Sequence, residues 1–117
     1  MGVPLTALSF PLRSLEDTGR FGRVLAGLVA PGDALYLSGP LGAGKTALAR
    51  AIIQTWVPGE EVASPTFTLV QTYSGPGFEV QHFDLYRVES GDEVWELGWG
   101  EPTGSVLLVE WPERLAI

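Results

Sequence analysis

Apolar and polar positions along this chain fall into a few distinct rhythms. Between Ser14 and Ala30, the residues Phe21, Val24, Leu25, Leu28 and Val29 recur at three- and four-residue steps. That spacing predicts a helix with one apolar stripe. Ser14, with Asp17 three residues on, supplies a start signal, and Pro31-Gly32 supplies a stop. Gly19, Gly22 and Gly27 work against this helix, each by roughly 1 kcal/mol relative to Ala. Ala34 to Ser38 is a short apolar run that predicts a buried strand. Thr46 to Trp56, with Leu48, Ala49, Ile52 and Ile53 on adjoining positions, predicts a second helix closed by Pro58-Gly59.

The rhythm then changes. Thr66 to Tyr73 is rich in β-branched and aromatic residues, Ser74-Gly75-Pro76-Gly77 is a turn, and Phe78 to Leu85 is a second extended segment. The two segments are expected to pair as a hairpin. Asp92 to Leu97 predicts a short helix and Pro102 to Ser105 a loop. Val106-Leu107-Leu108-Val109 is continuously apolar, as a strand buried on both faces is. The expected fold class is α/β: a mostly parallel sheet with an antiparallel hairpin and helices on both faces.

Composition narrows the field. The chain has 117 residues, 45% of them hydrophobic and 18% charged, enough for the core of one domain over residues 1–117. It contains no cysteine, which excludes a disulfide framework and thiolate metal sites. No run approaches the roughly 18 apolar residues of a spanning helix. Met1 to Pro11 lacks the basic and long apolar regions of a signal peptide. A soluble intracellular protein with no membrane association fits these features.

Charge is divided unevenly. Residues 1–58 carry five basic side chains against three carboxylates; residues 59–117 carry two against eleven. An acidic half repels phosphate backbones, so independent tight binding of nucleic acid is not expected. Such a half suits a basic protein partner or is simply a solvated face.

The clearest chemical signal is Gly39-Pro40-Leu41-Gly42-Ala43-Gly44-Lys45-Thr46, a full match to G-x-x-x-x-G-K-[ST] between a predicted strand and a predicted helix. In such a loop successive amides form a nest for phosphates, and the helix turns its positive end to the same place. Lys45, the chain's single lysine, would reach the β- and γ-phosphates of ATP, and Thr46 would set its hydroxyl on Mg²⁺. Glu110 follows the apolar run and stands where a magnesium-binding carboxylate is expected. Asp84 ends the second hairpin segment, where it could orient attacking water or magnesium-bound water. A solvated carboxylate at a strand end is the plain alternative for each. His82, the single histidine, reads as a packed side chain. Trp56, Trp95, Trp99 and Trp111 read as core or interface anchors.

Four segments stand in a familiar order: Gly39 to Thr46, Ser64-Pro65-Thr66-Phe67-Thr68, His82-Phe83-Asp84-Leu85-Tyr86-Arg87 and Val109-Glu110-Trp111-Pro112. Together they resemble the TsaE (formerly YjeE) family, over nearly the whole chain. The resemblance implies a P-loop NTPase fold and a cytoplasmic ATPase of tRNA threonylcarbamoyladenosine biosynthesis. It implies work alongside the threonylcarbamoyl transferase and its companion subunit, of TsaD and TsaB type, with tRNA met only through that complex. ATP hydrolysis would regulate or reset the transferase. Gly39, Gly42, Ala43, Gly44, Lys45, Thr46 and Ala47 would hold ATP, and Thr46 with Glu110 would bind Mg²⁺. Asp84 and Lys45 would support hydrolysis, and Ser64 to Thr68 would be a switch. Leu15 to Thr18 falls near the family's base site. Pro40 stands where the family commonly has Asp, and family members usually continue for several strands beyond the counterpart of Leu115.

Two other readings compete. A P-loop small-molecule kinase needs a lid and basic residues around the transferred phosphate, yet only Arg87 and Arg114 lie in the second half. A nucleotide-dependent interaction module that does not hydrolyse would tolerate loss of Asp84. A GTPase is disfavoured, because its base-reading element requires a second lysine.

Overall fold

Every residue of the run Val106–Glu110 is buried, and the fold is arranged around that strand. The structure, a computed structural model, describes residues 12–40, 43–65 and 68–116. Helix α1 (Leu15–Leu28) and strand β1 (Ala34–Leu37) lead into helix α2 (Lys45–Trp56). The hairpin β2 (Val70–Ser74) and β3 (Glu79–Asp84) follows, then the short helix α3 (Asp92–Glu96). Strand β4 (Val106–Glu110) and a 3-10 turn over Pro112–Ala116 complete the order.

The sheet runs β1-β4-β3-β2. Strand β4 pairs in parallel with β1 on one side and with β3 on the other, while β2 is antiparallel to β3. The expected mostly parallel sheet with an antiparallel hairpin is what forms. Alternation along β4 sorts the core into two. Val106 and Leu108 join Ala26 of α1, Ala49, Ile52 and Ile53 of α2, and Val80 and Tyr73 of the hairpin. Leu107 and Val109 face the other way, against Phe83, Val94 of α3 and Leu115 of the 3-10 turn. Helices cover both faces, as a two-sided apolar strand requires.

Helix α1 starts as its sequence predicts and packs differently. The Ser14 hydroxyl accepts from the Asp17 amide at 3.1 Å, and the Asp17 carboxylate accepts from the Arg13 amide at 3.1 Å. The Arg20 guanidinium, then that Arg13 amide, hold the Asp17 carboxyl below its ordinary value. This contribution is present above the ordinary value and is lost as pH falls through the lowered one. The predicted stripe is corrected in part: Leu25 and Val29 pack against the core, but Val24 and Leu28 are 58% and 74% exposed while Gly22 and Ala26 are buried. The reason is distance. A Cβ on Gly22 would lie 2.6 Å from the Ala51 Cβ, so α1 meets α2 across a residue without a side chain.

The hairpin is shorter than expected at its start. Leu69 sits at φ +67° and its amide donates to the Pro65 carbonyl at 2.7 Å, a turn that delays β2 to Val70. The rest of the expected strand start, Thr66 and Phe67, lies outside the described residues. Glu110, expected just beyond the last strand, is its final member.

Replacing Gly22 by Ala is expected to lower stability by about 1–3 kcal/mol, since α2 must shift to admit a methyl group. Gly27→Ala on the same helix meets nothing within 4 Å and is expected to add about 0.5–1 kcal/mol. Urea denaturation of the two variants checks both signs.

Candidate functional site

Parallel strands place their ends together, and here three ends form a row. Leu37 of β1 is in register with Glu110 of β4, and Glu110 with Asp84 of β3. The helix after β1 packs on the Leu108 face, whereas the segment after β4 packs on the Leu107 and Val109 face. Adjacent strands whose connections leave to opposite faces open a crevice at their carboxyl ends, where open α/β sheets bind ligands.

The glycine-rich loop rises from β1 into that crevice. Gly39 adopts φ +149° and Gly44 φ +91°, conformations that favour glycine. Gly44 is the residue before α2, and no side chain caps the helix. The Leu48 amide makes the first bond of the helical ladder, to the Gly44 carbonyl at 3.0 Å. The amides of Lys45, Thr46 and Ala47 precede that ladder, at the positive end of a 12-residue helix. Gly42 lies outside the described residues; Gly39, Ala43, Gly44, Lys45, Thr46 and Ala47 are all at the loop or the first helical turn.

Lys45 is buried and folds back over its own loop. Its ammonium donates to the carbonyls of Gly39 at 2.5 Å and Pro40 at 3.0 Å. It also lies 4.2 Å from the centre of the Trp111 ring. Trp111 reaches this position through φ +59°, a left-handed conformation that costs a non-glycine residue about 1–3 kcal/mol. The ring also packs on Tyr86, with centroids 4.9 Å apart.

Glu110 is 3% exposed, and both of its oxygens are engaged. Oε1 accepts from the Thr46 hydroxyl at 2.9 Å, across 64 residues of sequence. Oε2 lies 2.6 Å from Nε2 of His82, which is completely buried. Its backbone carbonyl accepts from the Leu85 amide at 3.1 Å. Thr46 and Glu110, the expected magnesium pair, are thus brought together. Asp84 joins the row beside Glu110. It is buried, and its Oδ1 accepts from the Tyr86 amide at 3.1 Å. Its own amide donates to the Leu69 carbonyl at 3.0 Å, so Leu69, next after Thr68, abuts it. Of the segment Ser64 to Thr68, Pro65 is buried and Ser64 and Thr68 are exposed.

Two participants were left out of the expected site. His82 is packed, as expected, but its packing partner is the site carboxylate. Trp111 is a cover for the ammonium in addition to a core contact. Parity along β3 carried a signal for the first: His82 and Asp84 are two apart and share a face, and Val80, His82 and Asp84 pair with Val106, Leu108 and Glu110.

The donor set has a definite chemical character. Among the described residues, no group of three or more His, Cys, Asp or Glu side chains converges on one point. One hydroxyl and one carboxylate cannot enclose a metal alone. They suit a hard cation that takes its other oxygens from water and a phosphate ligand, as Mg²⁺ does. The uncapped helix start beside them supplies amides for that phosphate.

Fold and site define an α/β protein with a glycine-rich loop at a strand-end crevice. Residues 12–117 match the family model described as "Threonylcarbamoyl adenosine biosynthesis protein TsaE". The chain belongs to the TsaE family. It is 44% identical over 105 residues to the tRNA threonylcarbamoyladenosine biosynthesis protein TsaE of Rickettsia conorii, covering 87% of this chain and 59% of that protein. The protein of the same name from Treponema pallidum is 38% identical, with 89% and 78% covered. The crystal structure of Bacillus subtilus YdiB aligns with a TM-score of 0.66 and 28% identity, over 90% of this chain and 64% of that one. The chain therefore spans about three fifths of the Rickettsia conorii relative's length. No helix among the described residues is long and apolar enough to cross a membrane.

Thr46→Val removes the donor to Glu110 Oε1 while keeping side-chain volume. Stability without nucleotide is expected to fall by about 1.5–3 kcal/mol, the range for a hydrogen bond to a charged group. An unchanged urea midpoint would show that the two side chains do not meet.

Proposed function

We propose that the protein is a P-loop ATPase that binds magnesium-ATP in the glycine-rich loop and serves tRNA threonylcarbamoyladenosine biosynthesis. The observation that carries this is the Thr46–Glu110 hydrogen bond at 2.9 Å. It joins the last residue of the phosphate-loop pattern to the end of a buried strand, the two places from which a magnesium-bound triphosphate is gripped. The names of the relatives support the pathway.

The amides of Ala43 to Ala47 would hold the β-phosphate, and Lys45 would exchange its carbonyl partners for phosphate oxygens. Ionised partners make the stronger hydrogen bonds, so that exchange is favourable. Bound magnesium supplies neutralisation of charge on the phosphate oxygens. Thr46 and Glu110 hold it. Asp84, beside Glu110, orients the attacking water and takes its proton. Trp111 and Tyr86 exclude solvent from the ammonium's side of the site.

The partners in this reading are a threonylcarbamoyl transferase and its companion subunit, of TsaD and TsaB type. The acidic second half suits a protein surface better than a nucleic acid, so tRNA is met through the complex.

Calorimetric titration with magnesium-ATP is expected to give saturable binding. Lys45→Ala weakens it about ten- to a hundredfold. Asp84→Ala leaves affinity within about threefold and lowers hydrolysis by about a hundredfold or more. Turnover rises when the transferase and its companion are added. Absence of heat with wild-type protein, or turnover indifferent to those subunits, would refute the ATPase or the partner assignment respectively.

A further inference from the structure

We infer that His82 is a positioning residue for the metal-binding carboxylate, holding Glu110 in the orientation from which it and Thr46 grip one cation. This rests on the magnesium-ATP reading of the site and goes beyond it. Glu110 could turn about its terminal bond and present either oxygen, or neither, to a cation. Two hydrogen bonds to its two oxygens remove that freedom: Thr46 at 2.9 Å and His82 at 2.6 Å. The two donors come from different elements, α2 and β3, so the carboxylate plane is fixed between a helix and a strand.

The tautomer follows from the surroundings. His82 Nδ1 is buried and has no hydrogen-bond partner, whereas Nε2 faces Glu110. A proton on Nε2 is donated to the carboxylate and leaves only a lone pair at Nδ1. A proton on Nδ1 would be stranded, and Nε2 would turn its lone pair on a carboxylate oxygen. His82 therefore donates through Nε2. A ring donor buttressing a metal-binding carboxylate sets ligand orientation, and loss of such a partner lowers metal affinity about ten- to a hundredfold.

Substitution separates positioning from mere packing. His82→Gln keeps an N–H donor near the Nε2 position, His82→Asn places it near Nδ1, and His82→Leu removes it. ATP binding is followed by calorimetry as magnesium is varied and again in its absence, with thermal unfolding of each variant. The expected result is a ten- to hundredfold rise in half-saturating magnesium for His82→Leu. Affinity for magnesium-free ATP stays within about twofold. His82→Gln recovers most of the loss and His82→Asn does not. Because His82 is the chain's single histidine, the ¹⁵N spectrum of its imidazole reports the tautomer directly, and Nε2–H is expected.

Unchanged half-saturating magnesium in His82→Leu overturns the inference, as does an equal loss with and without magnesium. Should that variant not fold, equal behaviour of the Gln and Asn variants overturns it, and so does an Nδ1–H tautomer in the wild type. Wild-type protein whose ATP binding ignores magnesium refutes the underlying site assignment, a result distinct from a normal wild type with a normal variant.

Discussion

A carboxylate buried at the end of an apolar strand organises this protein. Four of the five residues of β4 are Val or Leu, and the fifth, Glu110, is as deeply buried as they are. Burying a charge is unfavourable unless it is paired and hydrogen-bonded. Thr46 and His82 meet that condition from opposite flanks. An apolar residue of similar volume would suit the sheet as well or better. The carboxylate is therefore poor evidence of a structural need and good evidence of a chemical one.

The same contrast appears at the two long helices. Helix α1 completes its own start with Ser14 and Asp17. Helix α2, of similar length, begins at a left-handed glycine and has no side-chain cap. An uncapped start at the carboxyl-end edge of the sheet leaves amides and dipole directed at whatever sits there. Lys45 fits the same account, since its carbonyl and indole partners hold the ammonium over the loop. Its contacts with neutral groups are weaker than those an anion would offer.

Much of this could be read in the chain, for identifiable reasons. The run Val106–Val109 announced a two-sided strand because burial on both faces leaves no polar position. The glycine-rich loop announced itself because left-handed backbone and close approach demand specific residues at fixed offsets. Helix α1 was located well and its stripe was half right: Leu25 and Val29 pack against the core, while Val24 and Leu28 do not. A hydrophobic stripe counts side chains, while the closest approach to α2 is at Gly22, through the absence of one. The late start of β2 came from Leu69 at positive φ, a conformation that leucine does not advertise. The pairing of His82 with Glu110 was hidden for a different reason. Parity shows which residues share a face, but nothing local says that β4 lies beside β3.

That placement is what makes the site a property of the whole fold. Strands β1 and β3 are not neighbours in the sheet; β4, the last strand among the described residues, enters between them. Its arrival sets Glu110 between Leu37 and Asp84 and puts Trp111 over Lys45. Before β4 is in place, the loop has no carboxylate partner for Thr46 and the ammonium has no cover. The contact that completes the site spans 64 residues, among the slowest kind to form because its loop-closure entropy comes first. The loop and α2 can form locally, but the paired hydroxyl and carboxylate exist only in a molecule in which β4 is in place. A ligand held at that pair would therefore favour the form with β4 in place over any partly folded form that lacks it.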